Sequence, residues 1–302
     1  MKKNVVLSSL VLSMVLGLAS ASADIKIGVL AKRGAATCMQ KWGATGNYLS
    51  EQLGEKVEII PLKFVAIEPA LKAKQIDFLL ANSAFYVEMK EKHGINAVAT
   101  LINSRKGQAL KEFGGVVLVK ADSPIQTLAD IKGKKFMCVK YSSFGGGHMA
   151  WRLLKDNGID PKKDCAEFLE GGKHDNVVLA VKNGVVDAGT VRTDTLERMQ
   201  DEKKISMSDF RIIHPAENEK FPFVCSTRLY PEWPMAACAT TDAAVAEKIG
   251  KALMALKQDA PAAQAAKVIG WAEPSDYQPV KDCLVAIGYG VFADVAVAAQ
   301  TK

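Results

Sequence analysis

The sequence alternates short β-prone runs with amphipathic helical patterns, and it does so in two successive series. In the first series the run Ile25–Leu30 precedes a helical pattern over residues 39–53. In the second, residues 136–139 precede a helical pattern over 144–157. Repeated strand–helix units predict a mainly parallel sheet with helices on both of its faces. The pattern therefore predicts an α/β fold with two such cores.

Two extended stretches, near Phe113 and near Phe223, connect the two series. We expect each stretch to cross between the cores, so that two lobes are joined by two hinge crossings. The predicted lobe I takes residues 24–112 and 226–302, and the predicted lobe II takes residues 113–225. Because ligands of open α/β sheets bind beyond the carboxyl ends of the strands, we expect a ligand cleft between the lobes.

The amino terminus has the pattern of a secretory signal peptide. Lysines at positions 2 and 3 precede an apolar run over residues 5–18, and small residues fill positions 19–23. The apolar run is too short to span a membrane, and the small residues suit cleavage. We therefore expect residues 1–23 to be removed from a protein that is exported to the periplasm and works there as a monomer.

The charge of the chain suits a small anionic ligand. Its 39 basic and 33 acidic side chains give a formal net charge of +6. Residues 1–23 carry two lysines and no acid, so their removal lowers the net charge to +4. The basic residues are scattered along the sequence and not massed in one stretch, so nucleic acid is not predicted as a partner.

The sequence lacks the common motifs for catalysis and for cofactors. It has no GxSxG, no HExxH and no Walker loop, and the glycine run at 145–147 lacks the GxGxxG spacing of dinucleotide sites. No CxxC pair or Cys/His ligand cluster indicates zinc, haem or thioredoxin-like chemistry. We therefore expect neither an enzyme nor a bound cofactor or metal.

All six cysteines lie beyond the predicted signal peptide. An even number in an exported protein predicts disulfides, although the pairing cannot be deduced from the sequence. The pairs we favour are Cys138 with Cys165, Cys225 with Cys238, and Cys38 with Cys283. The alternative for each cysteine is a free buried thiol, and whether Cys38 faces the cleft is left open.

Polar and cationic side chains follow the predicted strands, at the ends where such sheets bind their ligands. Several helix amino termini would converge there, and a helix start attracts anions. The glycines of the turn over residues 142–147 would let a ligand approach the backbone. The candidate binding residues are Arg33, Asn82, Ser83, Tyr86, Ser142, Ser143, His174 and Arg192.

Each candidate also has a purely structural interpretation. Ser83 and Ser143 have the side chains of ordinary helix caps. His174 is equally suited to a local hydrogen bond, and Arg192 to an ion pair with an acid of the helix that follows it. Tyr86 has the spacing of a core residue. It is the convergence of these residues that indicates a site for a small oxyanion.

Several stretches resemble the phosphonate, phosphate and phosphite-binding periplasmic proteins of ABC transporters. They are residues 77–84, 141–146, 172–181 continuing to 186–189, and 226–231. The resemblance covers nearly the whole chain beyond residue 23. It implies a type II periplasmic-binding fold and an ABC permease as the partner of the protein.

The resemblance also implies which residues hold the ligand. In this family serines and helix N–H groups bind the ligand oxygens, which points to Ser83, Ser142, Ser143 and His174, with Tyr86 nearby. No acidic pair is evident for the amine of an aminophosphonate.

Two segments look closer to the periplasmic sensor domains of histidine kinases that share this fold. They are residues 144–148 and residues 190–194. Such sensors read sulfur oxyanions, for example tetrathionate. Three functions therefore stay open: a solute-binding protein of an ABC transporter, a ligand-sensing partner of a membrane histidine kinase, and an enzyme on the same scaffold that uses Cys38 or His174.

Overall fold

The computed structural model describes residues 24–105, 107–217 and 220–293. The predicted signal peptide, residues 1–23, lies outside the described residues. None of the helices within these ranges is long and apolar enough to cross a membrane.

Strands and helices alternate along most of the chain, as the sequence predicts. The strands are, in chain order, β1 (Ile25–Leu30), β2 (Val57–Leu62), β3 (Phe78–Leu80), β4 (Asn96–Arg105), β5 (Gln108–Leu110), β6 (Glu112–Phe113), β7 (Gly115–Lys120), β8 (Lys135–Cys138), β9 (Glu167–Glu170), β10 (Ala188–Arg192), β11 (Phe210–Ile213), β12 (Tyr230–Pro231), β13 (Pro234–Ala237) and β14 (Val268–Ala272). The α-helices are α1 (Ala35–Leu53), α2 (Phe64–Lys72), α3 (Ser83–His93), α4 (Met149–Asp156), α5 (Pro161–Asp164), α6 (His174–Lys182), α7 (Thr195–Asp201), α8 (Ala243–Ala255), α9 (Pro261–Ala266) and α10 (Gln278–Ile287).

The strands form two mixed sheets with the same plan. The first sheet has the order β14–β4–β13–β3–β1–β2, with β5 paired to β4, and the second has the order β11–β7–β10–β8–β9. Each sheet contains three mutually parallel strands, β2–β1–β3 in the first and β9–β8–β10 in the second. The next strand, β13 or β7, runs antiparallel to these three because it enters the sheet directly after a crossing.

The two crossings run side by side as a small antiparallel ribbon. In it Tyr230 of β12 pairs with Phe113 of β6. The second crossing was predicted as extended over residues 221–227, but its paired strand begins only at Tyr230. The preceding residues are held by β7 instead, since Ser226 donates its N–H to the Gly115 carbonyl at 2.8 Å, and Gly115 donates its N–H to Thr227 Oγ1 at 2.9 Å.

The first sheet is buried on both faces, so alternate residues of one strand enter different cores. Phe78 and Leu80 of β3 pack with Leu49 of α1 on one face. Leu79, between them, packs with Tyr86 of α3 on the other face. This two-residue alternation follows from the pleat of a β-strand, and it explains why β3 consists only of apolar residues.

Two predicted helices differ from the structure for local reasons. The helix predicted over residues 125–131 is only a single 3-10 turn, Ala129–Ile131. The Asp130 carboxylate accepts from the backbone N–H groups of Gln126 at 3.0 Å and Thr127 at 2.8 Å, which replaces helical hydrogen bonds there. The helix predicted over 144–157 begins instead with a π-helical turn, Phe144–His148, before α4.

The predicted disulfides are not formed, and all six cysteines are free thiols. Cys138 lies opposite Glu170 at one end of the β8–β9 pair, whereas Cys165 precedes the other end. Cys38 and Cys283 belong to cores on opposite faces of the first sheet. A disulfide requires Cα atoms within about 7 Å of each other, a condition that elements on opposite sides of a sheet do not meet.

The remaining predicted pair is separated by the second crossing. Cys225 precedes β12 and donates its thiol to the Thr227 carbonyl at 3.1 Å. Cys238 follows β13 in the first sheet, where its N–H donates to the Asp77 carbonyl at 2.8 Å. The two thiols therefore lie in different parts of the fold.

We predict that Leu49→Ala lowers the free energy of unfolding by about 2–5 kcal/mol, because it leaves a cavity in a closely packed core. Leu49 is completely buried between α1 and the first sheet. Urea denaturation measures the effect. The control is Val65→Ala on α2, whose side chain is 84% exposed, and an equal loss in both variants would contradict the proposed core.

Candidate functional site

A cleft of about 670 Å³ lies between the two sheets. Its floor is formed by strand ends of the first sheet. The carboxyl ends of β1 and β4 and the amino ends of β13 and β14 lie there together. The second sheet contributes the carboxyl end of β10 and the first residues of α6 and α7. This is the position at which open α/β sheets bind their ligands.

The cleft is cationic. Seven of the side chains that line it are basic and four are acidic. The basic residues are Lys32, Arg33, Lys41, Arg105, Arg192, Arg198 and Lys267. The acidic residues are Asp194, Asp201, Glu202 and Glu232.

A buried ion pair between Arg192 and Glu232 forms one wall of the cleft. Both terminal nitrogens of Arg192 donate to the Glu232 carboxylate, Nη1 at 3.3 Å from Oε2, and Asn103 Nδ2 donates to the same carboxylate. Burial opposes the ionisation of Glu232, but the charge and hydrogen bonds of Arg192 outweigh it and hold the pKa of this carboxyl below its usual range. Glu232 is therefore a permanent counterion.

The ion pair fixes the orientation of Arg192. Its guanidinium lies 4.0 Å from the ring centroid of Phe113, which covers one face of the group. Arg192 Nε is buried and has no hydrogen-bond partner among the described residues. Arg192 thus carries a rigidly held, buried N–H donor beside the cleft that no described residue satisfies.

His174 presents a second fixed donor. The backbone N–H of Arg192 donates to His174 Nδ1 at 3.2 Å, so the proton of the neutral ring is on Nε2. Burial, together with the charges of Lys32 and Arg192, lowers the pKa of His174 to about 3. The imidazole is therefore neutral at physiological pH and binds an anion as a hydrogen-bond donor, not as a cation.

Two lysines of the cleft lie over tryptophan rings. Lys32 Nζ is 4.7 Å from the ring centroid of Trp233, and Lys41 Nζ is 4.9 Å from that of Trp42. Lys32 is an exposed residue of the cleft, and Lys41 is half-buried. Burial and the neighbouring cations lower the pKa of Lys32 to about 7 and that of Lys41 to about 8.

Two ion pairs cross the cleft, and the arginine comes from the first sheet in one pair and from the second sheet in the other. Arg105, at the end of β4, pairs with Asp194, which follows β10 in the second sheet. Arg192, at the end of β10, pairs with Glu232, which precedes β13 in the first sheet. Each sheet therefore supplies one arginine and one carboxylate, and the two pairs together hold the walls of the cleft against each other.

Three of the predicted site residues line this cleft, namely Arg33, His174 and Arg192. The alternative predicted for Arg192, an ion pair with an acid at the start of the next helix, is confirmed, since its Nε lies 4.0 Å from Asp194 Oδ1. Its two terminal nitrogens bind Glu232, a partner that the sequence did not predict. Glu232 is 40 residues away in the sequence.

Asn82, Ser83 and Tyr86 do not line the cleft, and each makes a structural contact. Asn82 caps α3, since its side chain accepts from the Phe85 N–H at 3.0 Å. Ser83 Oγ donates to the Pro231 carbonyl at 2.7 Å, and the Tyr86 hydroxyl accepts from the N–H of a β4 residue at 3.1 Å. A ligand contact by these three residues stays a prediction.

Ser142 and Ser143 lie beside the π-helical turn and do not line the cleft. Both are half-buried, and their hydroxyls form no hydrogen bond within the described part of the chain. The glycines that follow them pack against the site itself. A Cβ on Gly146 would lie 2.9 Å from His174 Cε1, and one on Gly145 would lie 3.3 Å from the Arg192 Cβ. The glycines thus make room for these two side chains.

The sequence analysis missed the residues that complete the cleft. Lys41 lies one helical turn after Thr37, which follows the first strand and also lines the cleft, and this i, i+4 spacing is the one local signal for it. Asn103, Arg105, Glu232 and Lys267 come from segments far apart in the chain, and no motif marks them. Cys38 does line the cleft; burial raises the pKa of its thiol, although the charge of Lys41 opposes this.

Within the described ranges, no group of three or more His, Cys, Asp or Glu side chains is placed to hold a metal ion. The polar groups of the cleft are chiefly donors: lysine ammoniums, arginine N–H groups and the His174 Nε2–H. Such a set is complementary to the oxygens of a small anion.

Comparison with known proteins identifies the family of the chain. A family model described as ABC transporter, phosphonate, periplasmic substrate-binding protein matches residues 27–279. The tetrathionate sensor histidine kinase TtrS of Salmonella typhimurium is 31% identical over 260 residues. The match covers 85% of this chain and 43% of the kinase, so the chain spans less than half the length of this relative.

Solved structures show the same fold at low sequence identity. XAC2383 from Xanthomonas citri, bound to chloride ion, has a TM-score of 0.70 and 19% identity, over 87% of this chain and 98% of that one. PhnD1 from Prochlorococcus marinus, in complex with methylphosphonate, has a TM-score of 0.64 and 16% identity, over 86% of this chain and 96% of that one. These likenesses confirm the predicted type II periplasmic-binding fold. With the family match over residues 27–279, they place this chain in the family of phosphonate periplasmic substrate-binding proteins of ABC transporters.

Proposed function

We propose that the protein captures a small oxyanion in the cleft between its two sheets. The observation that carries this proposal is the excess of cations that line the cleft, together with the neutral His174 Nε2–H as a fixed hydrogen-bond donor. The ammoniums of Lys32 and Lys41, already held over tryptophans, supply the opposite charge. Preorganised donors favour binding because little conformational freedom is lost when the ligand enters.

The proposed role of this capture is transport. In this proposal residues 24–112 with 226–302 form lobe I, residues 113–225 form lobe II, and the β6–β12 ribbon is the hinge. Closure around a phosphonate, phosphate or phosphite-like anion delivers the closed form to an ABC permease in the periplasm. The residues that face the cleft belong to binding, and we assign none of them a catalytic step.

A second candidate is a ligand-sensing role beside a membrane histidine kinase. It is favoured by the 31% identity to a protein named as a tetrathionate sensor kinase, a match that covers 85% of this chain. The ligand in this case is a sulfur oxyanion such as tetrathionate. The same cationic cleft serves both roles, so the choice depends on which anion binds and on which membrane protein recognises the closed form.

We predict that isothermal titration calorimetry detects micromolar or tighter binding of at least one oxyanion from a panel. The panel contains phosphate, phosphite, methylphosphonate, sulfate, thiosulfate and tetrathionate. Preference for a phosphorus oxyanion favours transport of that class, and preference for a sulfur oxyanion favours the sensing candidate. Glucose is the neutral control, and absence of heat with every anion at low salt would refute the proposed function.

We predict that His174→Ala weakens binding of the preferred anion by about 10- to 100-fold, because a buried hydrogen bond to a charged group is worth roughly 1.5–3 kcal/mol. His174→Gln keeps a donor and recovers part of the affinity. Leu179→Ala, on the exposed side of the same helix, is the matched control and leaves the affinity unchanged. Equal affinity of wild type and His174→Ala would show that His174 does not bind the anion.

We predict that the affinity for sulfate or tetrathionate falls as the pH rises from 6 to 8.5. Neither anion titrates in this range, and an anion binds the protonated Lys32, whose pKa is lowered to about 7. His174 contributes no change between pH 5 and 7, because its pKa is lowered to about 3. Lys32→Gln removes the part of the change centred near pH 7 and leaves the part near pH 8 that Lys41 contributes. A change in affinity centred near pH 6.5 that His174→Gln abolishes would contradict this assignment.

A further inference from the structure

The Asp194 carboxylate lies between two arginines of the cleft. Its Oδ2 pairs with Nε of Arg105, which ends β4 in the first sheet. Its Oδ1 is 4.0 Å from Nε of Arg192, which ends β10 in the second sheet. All three side chains line the cleft. An acid of the protein itself thus holds the place where guanidiniums from the two sheets converge.

This carboxylate pairs with the two arginines in charge but leaves their inner N–H groups unsatisfied. Nε of Arg105 and Nε of Arg192 are both buried, and neither forms a hydrogen bond within the described ranges. The other nitrogens are used elsewhere, since both terminal nitrogens of Arg192 donate to Glu232 and Arg105 Nη1 donates to the Ser104 carbonyl at 3.1 Å. A buried N–H without an acceptor is unfavourable, so an oxyanion that meets both Nε–H groups is favoured at this place.

Asp194 does not make the contact that its position in the chain offers. It is the N-cap residue of α7, where an aspartate usually accepts from an N–H of its own helix, yet its side chain makes no such bond. Its φ of 71° and ψ of −9° lie in the left-handed region, which asparagine and aspartate visit more readily than other side chains except glycine. The carboxylate therefore serves the two arginines of the cleft and not the helix that it begins.

The backbone around Asp194 is fixed without the help of this carboxylate. Thr193 donates its N–H to the Gly114 carbonyl at 3.0 Å, and its Oγ1 accepts from the Gly114 N–H at 3.2 Å. The Asp194 carbonyl accepts from the Arg198 N–H at 3.0 Å. Because these bonds use only the backbone and Thr193, the Asp194 side chain can leave the arginines by rotation about its own bonds.

We propose that Asp194 is a built-in competitor of the ligand, because its carboxylate occupies an oxyanion position between Arg105 and Arg192 that an incoming anion takes over. This inference rests on the proposed function and adds the residue that limits the affinity of the site. The displacing group has at least two oxygens on one atom, as in a phosphonate, a sulfonate or sulfate, so that one oxygen meets each Nε–H. The position adjoins His174, whose Nδ1 accepts from the Arg192 backbone.

The competition has a defined thermodynamic effect. The apparent affinity of a protein is reduced by the fraction of molecules in which the binding-competent state is populated. While the Asp194 carboxylate is in place, the two Nε–H groups are not accessible to a ligand, which agrees with their burial. Removing the carboxylate therefore raises the affinity for an anion, whereas removing a carboxylate that only holds the two sheets together lowers it.

The test measures the affinity for sulfate and for methylphosphonate by titration calorimetry. An ionic strength of about 0.15 M screens exposed charges that are more than about 8 Å apart. Asp194→Asn removes the charge and suits the left-handed backbone, and Asp194→Gly removes the whole side chain where glycine is readily accommodated. The matched control is Glu202→Gln, an acid that lines the same cleft but is paired with Arg198 and Lys204.

We expect both Asp194 variants to bind the probes about 10-fold more tightly than the wild type, because the position is free in every molecule. Glu202→Gln changes the affinity by less than about 2-fold, since its charge is screened. Most of the gain from Asp194→Asn disappears in the Arg105→Gln background, where one of the two competing donors is absent. Cooperative unfolding of each variant in urea verifies that it is folded.

Two results would overturn the inference while leaving the proposed function intact. One is equal or weaker binding by both Asp194 variants, which makes Asp194 a structural link between the sheets. The other is a gain that Glu202→Gln reproduces or that persists in full in the Arg105→Gln background, since a general change of charge explains it. If wild type and variants bind neither probe, the inference fails, whereas the proposed function fails only when no anion of the whole panel binds.

Discussion

The cleft depends on the buried ion pair between Arg192 and Glu232. Glu232 holds both terminal nitrogens of Arg192, and Asn103 satisfies the same carboxylate from β4. The backbone N–H of Arg192 in turn fixes the tautomer of His174, whose ring packs against Gly146. Removing one partner of such a pair leaves an uncompensated buried charge, at a cost of about 3–5 kcal/mol. One interaction thus joins the two sheets and sets the direction of two donors.

Crowded cations are what make this cleft receptive to an anion. Lys32 and Lys41 are held over the rings of Trp233 and Trp42, where the negative faces of the aromatic systems partly offset their charge. The offset is incomplete, because burial and mutual repulsion still depress both lysine pKa values. A bound oxyanion relieves that repulsion. The clustered cations therefore attract an anion more strongly than an isolated lysine does.

The sequence was sufficient for the architecture because the alternation of strand and helix patterns is a local property. Local patterns do not reveal contacts that join distant segments. Ser83 stands at the start of a helix, and nothing near it in the sequence indicates that its hydroxyl donates to the Pro231 carbonyl, 148 residues away. Glu232 follows a proline in an unremarkable stretch, and only the folded chain brings it to Arg192. Short strands such as β13 and β14 were missed for a similar reason, since their pairing partners lie far earlier in the chain.

The hydrogen bond from the Arg192 backbone to His174 has a consequence for the chemistry of the cleft. A histidine acts as a proton shuttle only if it accepts and releases a proton near neutral pH, and His174 has one ring nitrogen already occupied by a backbone donor. With a pKa lowered to about 3, the other nitrogen keeps its hydrogen throughout the physiological range. The ring is thus a poor general acid and a poor general base. Its surroundings suit a group that donates a hydrogen bond through Nε2 and not one that transfers a proton.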